Sequence, residues 1–377
     1  MQNTTDLPTK TLKYDPIIYS LEMPKYHLLQ FDANNRFAGW VFNFGKRKIN
    51  SINVYNDEQF VGNFVVDGLR EDVGGHVPSI AAAKTCGFAF DIKISKTLKK
   101  VLFEIVFDDA SKEPFFEFDV ANAFSQRVYF KKLRQEITAI HKPTSELVYL
   151  TQGHYHVEEY QNSIIPGVLN MRQYLEHSGV DLNNIHSLLD FGCGSGRYLV
   201  GWHLIAPHIA LHGCDLNTTL MSWAQKNLPV QVKCLKNNLM PPLYYPDNRF
   251  DLIYFISVFT HLSLNLQKIW IQELKRILKV GGYILLTLHG EFYVRNCFWQ
   301  EPDKIEEFIS SGFIKNASDD EGANLCGTYH TPAFVEELFQ GFQLVGYFPN
   351  GRINQHRTLF QIAQSQDVYV FQYKGNE

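Results

Sequence analysis

The sequence predicts an α/β protein: a doubly wound, mostly parallel sheet in the C-terminal part, with a separate all-β domain before it. Three observations carry this. Short runs rich in aromatic and β-branched residues recur through the first 130 positions. Beyond position 185, apolar runs of strand length alternate with segments of helical period, the pattern of strands joined by crossover helices. A glycine-rich turn, Gly192-Cys-Gly-Ser-Gly196, closes the first of those later runs.

The early runs are Trp40-Val-Phe-Asn-Phe, Ile49-Asn-Ser-Ile-Asn-Val-Tyr, Gln59-Phe-Val-Gly-Asn-Phe-Val-Val, Gly87-Phe-Ala-Phe-Asp-Ile-Lys-Ile, Val101-Leu-Phe-Glu-Ile-Val-Phe and Pro114-Phe-Phe-Glu-Phe-Asp-Val. Breakers such as Asn56-Asp57, Gly74-Gly75 and Asp108-Asp109 separate them. Residues 31–130 therefore read as an antiparallel β-sandwich, preceded by a polar extension over 1–30. Residues 131–150 open with Lys131-Lys-Leu-Arg-Gln-Glu-Ile and read as a charged linker helix. An amphipathic helix is expected over 165–176. His154 and His156 alternate on the segment between, but no third ligand stands at a recognised spacing, so no metal site is expected.

Composition narrows the function classes. With 45% hydrophobic and 20% charged residues, 377 residues can bury two cores. A formal net charge of −4 supplies no overall field for nucleic acid or anionic lipid. No apolar run approaches the ~20 residues that span a bilayer, and residues 1–20 lack the apolar stretch of a signal peptide. Six cysteines without a C-x-x-C pair fit a reduced cytoplasm better than a disulfide scaffold. The oligomeric state stays open.

The glycine turn carries the chemistry. Ser187-Leu-Leu-Asp-Phe-Gly-Cys-Gly-Ser-Gly-Arg reads as a buried strand turning into a helix, where bare backbone amides can meet a ligand. Asp215 ends the next apolar run, nineteen positions past Gly196, placed to accept bonds from a ribose diol. The loop is G-x-G-x-G with Asp190 two residues before it, where an acid would repel a pyrophosphate but suits a ligand bearing an ammonium and a sulfonium.

With these residues the chain resembles the class I S-adenosylmethionine-dependent methyltransferases. The resemblance covers about residues 150–377. It extends to Asn238 at the end of a third strand, to Phe250-Asp-Leu-Ile-Tyr-Phe-Ile-Ser-Val-Phe-Thr-His-Leu as a fourth strand and its exit, and to Leu278-Lys-Val-Gly-Gly-Tyr-Ile-Leu-Leu-Thr-Leu, where Val280 replaces the commoner proline. It implies a Rossmann-like sheet of seven strands with an antiparallel edge hairpin, S-adenosylmethionine as cofactor, and a lid formed around residues 152–160. The implied cofactor residues are Asp190, Gly192, Cys193, Gly194, Gly196, Asp215, Leu216, Asn238 and Ser257. The transferase domain is expected over 151–377.

Residues just past strands four and five should face the reacting atoms. They include Ser257, Thr260 and His261, then His289 and Glu291. A hydroxyl acceptor must lose its proton, so His261 or His289 is the expected base. The insertion over 290–340 holds Tyr293, Trp299, Glu301, Asn324, Cys326, Tyr329 and His330. Of these, Tyr293, Tyr329 and His330 are the expected acceptor contacts. Asp67-Gly-Leu-Arg-Glu-Asp-Val with the later Gly87-Phe-Ala-Phe resembles a β-module found beside glycosyltransferases and methyltransferases of surface-polysaccharide pathways. The expected reaction is O-methylation of a glycan or glycan precursor. N- or carboxyl-methylation of a small molecule, or non-catalytic binding of S-adenosylmethionine or glycan, are the rivals.

Overall fold

The computed structural model describes residues 17–24, 29–43, 45, 47–78, 80–316, 322, 327–353 and 366–375. They fall into two compact units, one built mainly from the chain up to Tyr129 together with Arg295–Ile305, the other mainly from the chain after it.

In the first unit the strands are β1 (Ile17–Met23), β2 (Ala33–Asn43), β3 (Ile49–Asn56), β4 (Gln59–Val65), β5 (Gly87–Ile94), β6 (Lys100–Phe107) and β7 (Lys112–Asp119), with a short helix α1 (Glu71–His76) between β4 and β5. They form two antiparallel sheets, β1-β2-β5 and β4-β3-β6-β7. Alternation along β5 and β6 turns every second side chain inward, and residues of both sheets share one core. Phe103 sits at its centre, with ring centroids 5.0 Å from Phe37, 5.3 Å from Phe90 and 5.1 Å from Phe116. β1 falls inside the stretch expected as a polar extension, and it pairs with β2 from Ile17↔Asn43 to Met23↔Ala38. Its two ends carry opposite textures, buried at Ile17 and exposed at Met23, which weakened its signature.

Helix α2 (Val120–Ile140) starts in the first unit and enters the second at Phe130; α3 (Ser145–Gln152), α4 (Val157–Asn162) and α5 (Ile164–His177) follow. The expected linker over 131–150 is thus two helices, and Leu133 and Ile137 of α2 are buried core residues. Then β8 (Ser187–Phe191), α6 (Arg197–Ile205), β9 (Ala210–Asp215), α7 (Thr218–Asn227), β10 (Val232–Lys236), β11 (Phe250–Phe255), α8 (Leu264–Ile277) and β12 (Leu278–Leu288) alternate as expected. After them come α9 (Glu291–Cys297) and α10 (Pro302–Ser311), whose residues within Arg295–Ile305 group with the first unit, then β13 (Phe313–Lys315), β14 (Thr328–His330), α11 (Pro332–Leu338), β15 (Phe342–Phe348) and β16 (Asp367–Tyr373).

The main sheet runs β10-β9-β8-β11-β12-β16-β15, and only β16 pairs antiparallel to its neighbours on both sides. This is the seven-stranded sheet with an antiparallel edge that the resemblance implied. Side-chain alternation divides its core in two. Leu188, Leu211, Tyr254 and Leu285 pack with Trp202 on one face, whereas Leu189, Phe191, Phe255 and Leu286 pack with Trp270 on the other. On α8, Leu266, Trp270, Leu274 and Ile277 recur at helical spacing and are buried, and Ser263 caps the helix through a bond from Leu266 N–H to its Oγ at 3.3 Å. Strand order reverses between β8 and β11, and that reversal positions the site. Among the described residues no helix is long and apolar enough to cross a membrane.

Replacing Phe103 by Ala leaves an aromatic-sized void in the first unit and is expected to destabilise it by about 3–5 kcal/mol. In calorimetric melts the loss should fall on the transition that S-adenosylmethionine does not shift; a loss spread over the ligand-sensitive transition would refute a separate N-terminal core.

Candidate functional site

A cavity of about 500 Å³ opens at the carboxyl ends of the central strands. Its floor is the turn after β8. Gly192 and Gly194 line it and take φ of +82° and +56°. A Cβ on Gly192 would lie 2.5 Å from Val258 Cγ2, so a side chain there would force apart the turns after β8 and β11. Asp215 stands at the end of β9. Its Oδ2 accepts the Gly194 N–H at 2.9 Å and its Oδ1 the Asn217 N–H at 2.8 Å, which leaves a lone pair on each oxygen for a diol. Burial pushes this carboxyl above its usual range, while those two donors pull it back down.

Leu216, Asn238, Ser257 and His261 also line the cavity, as does Gln152 at the end of α3, where a lid was expected. The sequence reading missed Asn237. It is buried, its N–H donates to Asp215 O at 3.1 Å, and its Nδ2 donates to Asn238 O at 2.8 Å. Its Oδ1 is buried in the cavity wall with no partner among the described residues. A buried amide oxygen left unbonded is costly unless a ligand donor meets it, and an exocyclic adenine amine is such a donor. Asn237, not only Asn238, is therefore equipped to face the base.

The structure moves other expected residues away from the cavity. Asp190 is interior to β8, 3% exposed, and accepts a bond from Tyr254 Oη at 2.8 Å. Burial raises it to about 7. It braces the sheet beneath the loop and does not line the cavity, because its position in the alternation shares a face with Leu188 and Tyr254. The Cys193 thiol is buried in that same core, and Gly196, with φ +78°, starts α6 against Leu228. Both serve the loop through backbone geometry.

None of His289, Tyr293, Tyr329 and His330 lines the cavity. His289 stacks on Tyr293 at 4.1 Å and lies 5.3 Å from Tyr329. Burial, then the charge of nearby His261, lower its pKa to about 3. His330 is fully buried, which corrects its expected role as an acceptor contact. Gln267 turns its Nε2 to Phe259 O and Leu262 O, both at 2.9 Å, so its Oε1 must accept from His330 Nε2 at 3.0 Å. His330 is then the Nε2–H tautomer, and burial holds it neutral down to about 3. Trp299 and Glu301 fall in Arg295–Ile305, grouped with the first unit. Asn324 and Cys326 lie outside the described residues. The rings of His154 and His156 are 5.6 Å apart, and among the described residues no group of three or more His, Cys, Asp or Glu could hold a metal ion.

Residues 189–286 match the family model described as "Methyltransferase domain". The second unit thus carries a methyltransferase domain, for which S-adenosylmethionine is the implied methyl donor. The chain is 27% identical over 123 residues to a probable methyltransferase, ltbC, of Aspergillus luteorubrus, covering 29% of this chain and 42% of that one. It is 35% identical over 103 residues to a tRNA (carboxymethyluridine(34)-5-O)-methyltransferase of Arabidopsis thaliana, covering 27% and 23%. The chain therefore spans less than half the length of either curated relative. Among solved structures, an S-adenosylmethionine-dependent methyltransferase of Methanosarcina mazei is 18% identical, with 55% of this chain and 97% of that chain covered and a TM-score of 0.39.

Two outcomes are expected at this site. Asp215→Ala removes both diol acceptors and one anchor of the loop, and should weaken S-adenosylmethionine binding by about 1–3 kcal/mol; calorimetry with unchanged affinity would remove the ribose assignment. Folded His330 refuses protons until about pH 3, whereas the unfolded chain takes one up near its usual ~6.5, so this residue's stabilisation is present above that pH and is lost as pH falls through it. The Tm of the wild type relative to His330→Gln should accordingly drop between pH 7.5 and 5, and a constant difference would show that the ring protonates in place.

Proposed function

We propose that the second unit transfers the methyl group of S-adenosylmethionine to a hydroxyl of a glycan or glycan precursor. One observation carries the reading: Asp215, Asn237 and His261 line one continuous cavity at the strand-order reversal, and the buried amide oxygen of Asn237 has no partner among the described residues. Bound S-adenosylmethionine supplies an electrophilic methyl on a sulfonium. The chain's own residues do the rest. Asp215 holds the ribose, Asn237 and Asn238 the adenine, and the bare backbone of Gly192 and Gly194 lets the ligand lie against the loop.

Positioning supplies most of the acceleration in such a displacement, and the remaining need is a base for the acceptor's proton. His261 lines the cavity and is placed to take that proton at an imidazole nitrogen. His289, with its pKa held to about 3, is a feeble base at neutral pH; stacked on Tyr293 behind the cavity lining, it fits better as a residue that orients the acceptor indirectly. A net charge of −4 offers no overall attraction to a polyanion, so the tRNA in the Arabidopsis relative's name is not carried over. In this reading residues 31–130 remain the glycan-side module, and 151–377 remain the transferase domain with its acceptor insertion over 290–340.

His261→Asn should lower kcat by roughly 10²–10⁴-fold on a hydroxyl acceptor while leaving S-adenosylmethionine affinity nearly intact. His289→Asn should raise KM for the acceptor more than it lowers kcat. Full turnover by His261→Asn across pH 6–8 would rule out histidine base catalysis and favour N- or carboxyl-methylation, which needs no such base.

A further inference from the structure

At the exit of β11 the backbone of Ser257 takes φ +58°, a left-handed conformation that residues with a Cβ seldom adopt. Such strain persists only where the surroundings over-determine it. Three residues do so here. The Ser257 N–H donates to Thr287 Oγ1 at 2.9 Å, its carbonyl accepts from Thr260 Oγ1 at 2.9 Å, and its hydroxyl accepts from Gln366 Nε2 at 2.8 Å. Thr287 passes its own proton to Gln366 Oε1, which fixes the orientation of that amide.

The protons of this ring can be assigned one by one. Thr260 has a single hydroxyl proton, and the Ser257 carbonyl, which can only accept, takes it. The 3.0 Å contact between the two hydroxyl oxygens must then have Ser257 as donor. Ser257 Oγ has thus committed its proton to Thr260 and one lone pair to Gln366. What is left is a single lone pair, on a residue that lines the cavity.

We infer that Thr260 and Gln366 are positioning residues that hold the Ser257 hydroxyl as an acceptor-only group, and that its partner is the α-ammonium of S-adenosylmethionine. This rests on the function proposed above. Asp215 and Asn237 take the adenosine at the exits of β9 and β10, so the amino-acid end of the same ligand extends toward the exits of β8 and β11, where Ser257 sits. An ammonium brings three donors and no acceptor, whereas the ligand's carboxylate would set lone pair against lone pair. The ring therefore decides which way round the amino-acid end lies.

The test is calorimetry with two probes: S-adenosylhomocysteine, which keeps the ammonium, and 5′-methylthioadenosine, which lacks the whole amino-acid end. In Thr260→Val the Ser257 proton loses its acceptor; with Gln366 still donating from another side, that proton turns into the cavity. S-Adenosylhomocysteine should then bind roughly 10-fold more weakly, methylthioadenosine within about 2-fold of wild type, and Thr260→Ser should restore both. A carboxylate at 366 would take the Ser257 proton and return a lone pair to the cavity. The penalty of Thr260→Val should therefore shrink when measured against Gln366→Glu, the double-mutant cycle cancelling the added charge. Ser257→Ala gives an independent arm if Thr260→Val fails to melt cooperatively, with the same selective loss expected. Unchanged binding of S-adenosylhomocysteine, equal loss of both probes, or an undiminished penalty in the Gln366→Glu background would each overturn the inference. A wild-type protein that binds neither probe would instead overturn the cofactor reading itself.

Discussion

β8 exposes none of its five residues, and the site depends on that constraint. A strand paired on both edges and covered on both faces offers a ligand little before its last residue. Recognition must come from its last residue, Phe191, which lines the cavity, and from the turn that follows, which is pressed between two neighbours. Gly192 packs against Val258 beyond β11, and the Gly194 N–H is held by Asp215 beyond β9. The glycine turn, Asp215 and the turn after β11 are consequently one packed object. Asp190 belongs to its foundation: a carboxyl buried to the point of titrating near 7 against Tyr254 ties β8 to β11 from below.

What the sequence made legible was whatever local periodicity records. Strand and helix alternation, the glycine turn and the acid at the tip of β9 each leave a signature within a few residues, and each stands where the spacing put it. Illegible features depend on partners far along the chain. Gln366 bonds a serine 109 positions away, and Gln267 bonds His330 across 63. No window of residues contains either pair. Which of two adjacent asparagines buries its side chain in the cavity lining is decided by the last rung of pairing, where Lys236 meets Asp215 and Asn237 then bonds the Asp215 carbonyl.

The histidines show the same limit from another side. Position alone marks His261, His289 and His330 as neighbours of the reaction, because all follow strands or sit in the insertion. Burial separates them. One lines the cavity, one is held neutral in an aromatic stack, and one is sealed in the core as a brace. A histidine's environment sets its chemistry, and a sequence shows only its address.

Gln267 has a consequence for how acceptor preference can change. Its one amide ties the turn carrying His261, through Phe259 and Leu262, to β14 of the insertion, through Thr328 and His330. The insertion is therefore not a detachable cap. A grafted loop that lacks equivalents of Thr328 and His330 would strand the buried amide and loosen the very turn that carries His261. Exchange of acceptor regions between related chains should succeed only when α8 and the insertion are inherited together, as a single hereditary block.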